Sequence, residues 1–154
     1  MAKTPKNKPA KKSGRPRLET LYARYEIQIT KWDFSWSYYP VRPSERRQGE
    51  SPFKEIATLT LEGHVVEPEG FKYPQALLRI VADSSYVGVI EQPKAIGSVQ
   101  ITDNLFTGYV FIPSNQMPVL VSAASRLRFI ELSGTPLRYR KALIDTLHLN
   151  SAPD

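Results

Sequence analysis

Residues 22–30 have the sequence YARYEIQIT, in which apolar and polar side chains alternate. Ala23, Tyr25, Ile27 and Ile29 lie on one side of an extended chain, and the polar residues between them lie on the other. A period of two residues predicts a half-buried strand. Residues 55–66 (EIATLTLEGHVV) alternate in the same way and predict a second strand with one face in a core.

Further segments of strand-like periodicity follow, each bounded by turn residues. We predict strands at residues 22–30, 33–39, 55–66, 75–82, 95–102, 105–112, 126–132 and 137–149. Asp103-Asn104 is predicted to turn one hairpin, and residues 133–136 (SGTP) are predicted to turn the last. Residues 83–93 fit no single element. One short helix is expected near residues 115–125, capped by Ser114. About eight strands without a βαβ pattern predict an all-β fold, an antiparallel sandwich or barrel.

Positive charge is concentrated at the N-terminus. The chain has 154 residues and a formal net charge of +6, but residues 1–17 hold seven of its 21 basic residues and no acid. The rest of the chain therefore carries 14 basic and 15 acidic residues. We expect a disordered basic tail at residues 1–17, one domain at 18–150 and a short C-terminal tail at 151–154.

Several classes of chemistry have no support in the sequence. The chain has no cysteine, which excludes disulfides and thiolate zinc sites. Phosphate-cradling glycine loops and a nucleophile elbow are absent, and His64 and His148 are the only histidines. We therefore predict no catalytic residue, metal site or cofactor, and an enzyme is the less favoured class. No apolar stretch approaches the roughly 20 residues that span a bilayer, so no membrane partner is expected. We expect a cytoplasmic protein, or a nuclear one in a eukaryote.

Aromatic residues cluster between Tyr22 and Tyr39, where seven of the chain's 16 aromatic residues lie. Trp36 is in phase with Phe34 and Tyr38, so we expect it to be largely buried on the core face of a strand. Trp32 and Tyr39, at the ends of that strand, are the candidates for exposed stacking residues.

The last predicted hairpin carries a candidate anion patch. Arg126 and Arg128 would share one face of its first strand, and Arg138 and Arg140 one face of the second. Opposed across the hairpin, the four guanidinium groups would suit a phosphate. A solvated outer face of the sheet is the alternative.

The basic tail ends in Lys11-Lys12-Ser13-Gly14-Arg15-Pro16-Arg17. This segment resembles an AT-hook: Gly14, Arg15 and Pro16 match its Gly-Arg-Pro core. The basic flanks of the motif are matched by Lys11, Lys12 and Arg17, while Ser13 stands where the motif has its first core arginine. The resemblance implies that Arg15 enters the minor groove of A·T-rich DNA. A basic tail without groove specificity is the alternative.

These features predict a non-enzymatic binding or accessory domain that its tail tethers to nucleic acid. The alternative is a small-molecule or carbohydrate-binding β-sandwich module whose tail only aids solubility. A protein partner, or a second copy of the chain, could also pair with an exposed edge strand.

The tail is predicted to be separable from the fold, because no large apolar side chain lies between Met1 and Leu18. Deleting residues 1–17 is expected to change the free energy of unfolding by less than about 0.5 kcal/mol, as for surface changes. Urea denaturation of both proteins measures the difference. A large loss of stability on truncation would show that the tail packs against the domain.

Overall fold

The computed structural model describes residues 22–84 and 94–151, which form seven strands and one short helical segment. The strands are β1 (Ala23–Pro40), β2 (Phe53–Glu67), β3 (Gln75–Asp83), β4 (Gly97–Thr102), β5 (Leu105–Phe111), β6 (Phe129–Gly134) and β7 (Lys141–Asn150). Helix α1 (Met117–Ala123) is flanked by single 3-10 turns at Ser114–Gln116 and Ala124–Arg126. The predicted all-β class with one short helix is confirmed.

The sheet closes into a barrel in the order β1-β2-β3-β5-β4-β7-β6, and β6 pairs back onto β1. Of the two architectures predicted, the barrel is therefore correct. Every neighbouring pair is antiparallel except β3 and β5, which run parallel. This pair arises because the β4–β5 hairpin places its second strand, and not its first, beside β3.

A single long strand, β1, replaces the two strands predicted at residues 22–30 and 33–39, which is why there are seven strands rather than eight. The ladder with β2 shifts between Ile29, paired with Gly63, and Lys31, paired with Glu62. Thr30 is the extra residue of this β-bulge, and its hydroxyl donates to the Glu62 carbonyl at 3.2 Å. Core-facing residues are odd-numbered before the bulge and even-numbered after it.

The barrel interior is filled by alternate residues of every strand. Leu59, Ile80, Val110 and Ile130 have no measurable exposure. The predicted core face of residues 55–66 is confirmed, since Ala57, Leu59, Leu61, Gly63 and Val65 are all buried. Buried Met117 and Ala124 anchor the α1 segment to this core.

Aromatic rings pack at the opposite end of the barrel from α1. Tyr25, Phe71 and Phe106 form a cluster with centroid separations of 5.1–5.8 Å. Burial raises the pKa of the Tyr25 hydroxyl, and a backbone hydrogen bond from Leu137 lowers it in part. The Tyr25 side chain is buried, so its raised pKa reflects its place in the core.

Two local predictions differ from the structure. Ser114 makes no capping hydrogen bond, because the 3-10 turn begins on Pro113 and the helix proper begins later, at Met117. The last hairpin turns at Tyr139 and Arg140, whose φ values are +50° and +64°, and not at residues 133–136. Gly134 lies inside β6, where a Cβ atom would stand 1.9 Å from the Leu143 carbonyl oxygen. Gly134 lets β6 and β7 approach closely at a register shift. The surrounding residues 133–136 are equally typical of a turn, so the sequence alone does not distinguish the two roles of this glycine.

The other predicted hairpin turn is confirmed. Asp103 and Asn104 both have positive φ, at +50° and +63°, and join β4 to β5 as a two-residue hairpin turn. Residues 41–52 form a largely exposed loop between β1 and β2. In the described parts of the chain, no helix is long and apolar enough to span a membrane.

Gly63 should be intolerant of a side chain, because its Cβ atom would lie 2.1 Å from the Gln28 carbonyl oxygen beside the bulge. Gly63→Ala is expected to destabilise the protein by about 1–3 kcal/mol, the usual range for overpacking, measured by urea denaturation. Gly108→Ala is the matched control, since the nearest atom there is the flexible tip of Leu78 at 2.6 Å. Equal losses for the two variants would contradict this account of the bulge.

Candidate binding surface on the β1–β2 hairpin

The β1–β2 hairpin continues past the region where β6 covers it. β1 pairs with β6 only from Ala23 to Gln28, with one further backbone bond from Ile29 to Arg128. From Lys31 to Pro40, β1 pairs with β2 alone, so no described strand occupies its outer edge. Five of the seven aromatic residues noted between Tyr22 and Tyr39 lie on this uncovered half.

Two of these aromatic rings, Trp36 and Tyr38, form a stacked series with Phe53 of β2, and we call these three rings the aromatic ladder. The Trp36 and Tyr38 centroids are 6.0 Å apart with planes 2° from parallel. Tyr38 and Phe53 are 5.2 Å apart and 17° from parallel. Their exposures are 57%, 55% and 45%. Phe53 belongs to the aromatic ladder because it pairs with Pro40 across the hairpin, which places the Phe53 ring diagonal to Tyr38.

The expectation that Trp36 is largely buried is wrong. Its phase was predicted correctly: Trp36 pairs with Ala57 and shares the core-facing side of the sheet with it. That side is covered only as far as the barrel and α1 extend. The same face is therefore core at Leu59 and surface at Trp36 and Tyr38.

Trp32 and Tyr39 are exposed, at 42% each, as predicted. Their stacking role stays a prediction. The regular pairing of residues 31–40 puts them on opposite faces of the hairpin, so they do not form one platform. Trp32 shares the face of the aromatic ladder.

The exposed aromatic area is large enough to indicate an interaction site. Trp32, Phe34 and the aromatic ladder are between one-third and three-fifths exposed. At roughly 200 Å² per ring, the five side chains present on the order of 400–500 Å² of largely apolar surface, which is the size of the largest patch on a typical monomer, and such patches are often functional.

A cavity of about 440 Å³ lies beside the aromatic ladder, between β1 and α1; we call it the helix pocket. Its walls include Phe34, Trp36, Met117 and Val121, and its polar groups include Glu55 and Ser114. The Trp36 indole N–H donates to Glu55 Oε1 at 2.9 Å, which fixes the ring against the wall.

Cationic side chains lie at both ends of the aromatic half of β1. Arg42, Arg46 and Arg47 are exposed in the loop that follows it, together with Glu45 and Glu50. Glu50 is held by the Arg47 backbone N–H at 3.0 Å. At the other end, exposed Arg126 and Arg128 connect α1 to β6, and the Arg128 backbone bonds to Ile29.

The four-arginine patch predicted for the last hairpin does not form. Phe129 at the start of β6 pairs with Asn150, so Arg126 and Arg128 lie at the α1 end of the barrel. Arg138 precedes the turn and Arg140 lies in it, and the first residue of β7 pairs with Gln100 near the end of β4. The six residues of β6 separate the two pairs by roughly 20 Å. Arg138 and Lys141 instead line a second cavity, of about 460 Å³, on the outer side of β4 and β7.

The remaining candidate residues are the two histidines and the basic residues of the N-terminal segment. His64 and His148 lie on β2 and β7, and the strands β1 and β6 separate them in the sheet. The described residues contain no cluster of three or more metal-ligating side chains. Lys11, Lys12, Gly14, Arg15, Pro16 and Arg17 lie outside the described residues.

Comparison with known protein-family models, with curated proteins and with solved structures finds no match to this chain. The proposed function therefore rests on the exposed aromatic side chains of the β1–β2 hairpin and on the helix pocket.

Since Trp36 is a surface ring, Trp36→Ala is expected to cost only about 0.5–1.5 kcal/mol of unfolding free energy, the value of a stacked aromatic pair. Phe106→Ala, in the core at 1% exposure, is expected to cost about 3–5 kcal/mol. Thermal and urea denaturation of both variants provide the comparison. A Trp36→Ala loss as large as that of Phe106→Ala would mean that the ring belongs to the core.

Proposed function

We propose that this protein is a non-enzymatic nucleic-acid-binding domain. Its basic N-terminal segment holds the domain near nucleic acid, and its β1–β2 hairpin binds a single-stranded stretch. The single observation that carries the proposal is the aromatic ladder, three nearly parallel rings about half exposed on one face of an uncovered hairpin. Aromatic rings on a sheet are the usual platform for unpaired bases, because every base offers a π-face.

The charges around the ladder support a polyanionic ligand. Arg128 lies beside the start of the aromatic half of β1, and Arg42, Arg46 and Arg47 lie beyond its end. The twelve or so residues between these positions span roughly 40 Å. A strand whose bases stack along the aromatic half would thus meet cations at both ends of its backbone.

The N-terminal segment supports the same ligand. It carries seven cations in 17 residues, with the segment that resembles an AT-hook at its end. A chain of that length reaches at most about 60 Å, which is more than the aromatic half of β1 spans. Tail and hairpin could therefore contact one nucleic acid at the same time and raise each other's effective concentration.

Ladder variants test the proposal. Trp36→Ala or Phe53→Ala is expected to weaken binding of a single-stranded oligonucleotide by about fivefold to 150-fold, since one stacked base is worth about 1–3 kcal/mol. Fluorescence anisotropy over a salt series measures the affinity. Tyr139→Ala removes an equally aromatic and more exposed ring far from the ladder, and it is expected to leave binding unchanged.

Deletion of residues 1–17 separates the contributions of tail and hairpin. The tail-deleted protein should bind more weakly and with a shallower salt dependence. The slope should fall by about 0.7 for each phosphate of a single strand that the tail neutralises. The ladder variants should keep the salt slope and lose affinity at every salt concentration. Ladder variants that bind like the unaltered protein would refute the proposed role of the hairpin.

A carbohydrate or small-molecule ligand is the second candidate, and the helix pocket favours it. Sugar rings also stack on indole and phenol faces, and a cavity of about 440 Å³ is within the range of ligand sites. Neutral oligosaccharides in the same titrations distinguish the two. Binding of a neutral sugar that depends on Trp36, with no binding of oligonucleotides, would replace the nucleic-acid proposal.

A further inference from the structure

The helix pocket lies next to the ladder because two small residues leave room there. Ala57 of β2 and Ala82 of β3 are paired and buried at its base. Trp36 forms one wall, and Met117 and Val121 of α1 lie among the residues opposite. The space is bounded mainly by apolar groups and is several times the volume of one planar ring, so a base with part of its sugar fits.

Two polar groups in the pocket lack part of their hydrogen bonding. Glu55 uses Oε1 to accept from Trp36, and within the described residues its Oε2 accepts no hydrogen bond. The Ser114 hydroxyl is buried and has no partner in the described parts of the chain. The buried, unpaired Ser114 hydroxyl costs free energy, and both groups belong to residues that line the same cavity.

These groups define what the pocket recognises. A flat ring can stack on Trp36, while a carboxylate oxygen accepts hydrogen bonds only. Exocyclic amino groups of bases are suitable donors, and acceptance from the cytosine amino group is a known role of Glu. Thymine places a carbonyl oxygen at that position, which the carboxylate repels. A free aromatic amine has the same ring and donor, but it would not use the arginines at both ends of the aromatic half of β1.

We propose that the helix pocket holds one base of the bound strand, stacked on Trp36 with its exocyclic amino group donating to Glu55. The pocket thereby gives the domain a preference for cytosine over thymine. This inference rests on the proposed function: the ladder supplies affinity for any sequence, and the pocket selects a base within it.

The test compares binding of oligo-dC and oligo-dT, each about 12 nucleotides long, because both pyrimidine strands stack weakly on themselves. The unaltered protein is expected to bind oligo-dC about fivefold to tenfold more tightly, as for one recognised base. Glu55→Gln should reduce this ratio to near one, since an amide also donates to the thymine carbonyl. Should Glu55→Gln fail to fold, Val121→Phe, which fills the pocket from α1, is expected to abolish the same ratio.

Val119→Phe is the matched control, because Val119 is exposed on α1 and does not line the pocket. It should leave the ratio unchanged. Equal binding of oligo-dC and oligo-dT by the unaltered protein, with Trp36→Ala and Phe53→Ala still weakening both, would overturn the base-selective pocket and leave the proposed function standing. If both Glu55→Gln and Val121→Phe keep the unaltered ratio of oligo-dC to oligo-dT affinity, the helix pocket is not the source of the preference. Absence of oligonucleotide binding would overturn the proposed function itself, and this inference with it.

Discussion

One inserted residue, Thr30, determines which side chains of β1 face the barrel. A shift of one residue moves every side chain of a strand to the other face, and the bulge between Ile29 and Lys31 makes that shift within a single strand. Without it, either Tyr25 and Ile27 or Phe34 and Trp36 would have to leave the core-facing side. The barrel and the aromatic surface thus depend on the same irregularity, and Gly63 allows it by letting the Gln28 carbonyl approach closely.

Unequal strand lengths then turn the continuation of a core face into exposed surface. β1 has 18 residues and β6 has six, so most of β1 has no neighbour on that side among the described strands. Helix α1 is also short, and it covers the core-facing side only near Ala57 and Ala82. Beyond α1, the same alternation continues with aromatic side chains. The ladder is in this sense the unburied continuation of the barrel interior.

Local patterns in the sequence predict the individual strands and turns of this protein better than they predict how distant strands pair. Alternation places the inward residues of β1 and β2 correctly, and the Asp103-Asn104 turn follows from turn chemistry. The exposure of Trp36 was not predictable, because periodicity gives a face and not what covers it. Phe53 lies outside the aromatic run and joins the ladder only through hairpin register, while the Tyr139-Arg140 turn lacks the glycine or asparagine that marks such turns. The parallel β3–β5 pair and the separation of the four arginines are likewise matters of strand order.

Charge and stacking have different physical roles in the proposed ligand contact. The chain beyond residue 17 is nearly neutral, so its affinity for a polyanion cannot come from a general positive field. It has to come from a few placed arginines and from ring stacking, which depends little on salt and little on sequence. In the proposed contact, the seven cations of the N-terminal segment would act through counterion release, which weakens steeply as salt rises. The tail would then bring the domain to nucleic acid and the hairpin would distinguish single strands, because only unpaired bases expose faces for the outer rings of the ladder, Trp36 and Phe53, on either side of Tyr38.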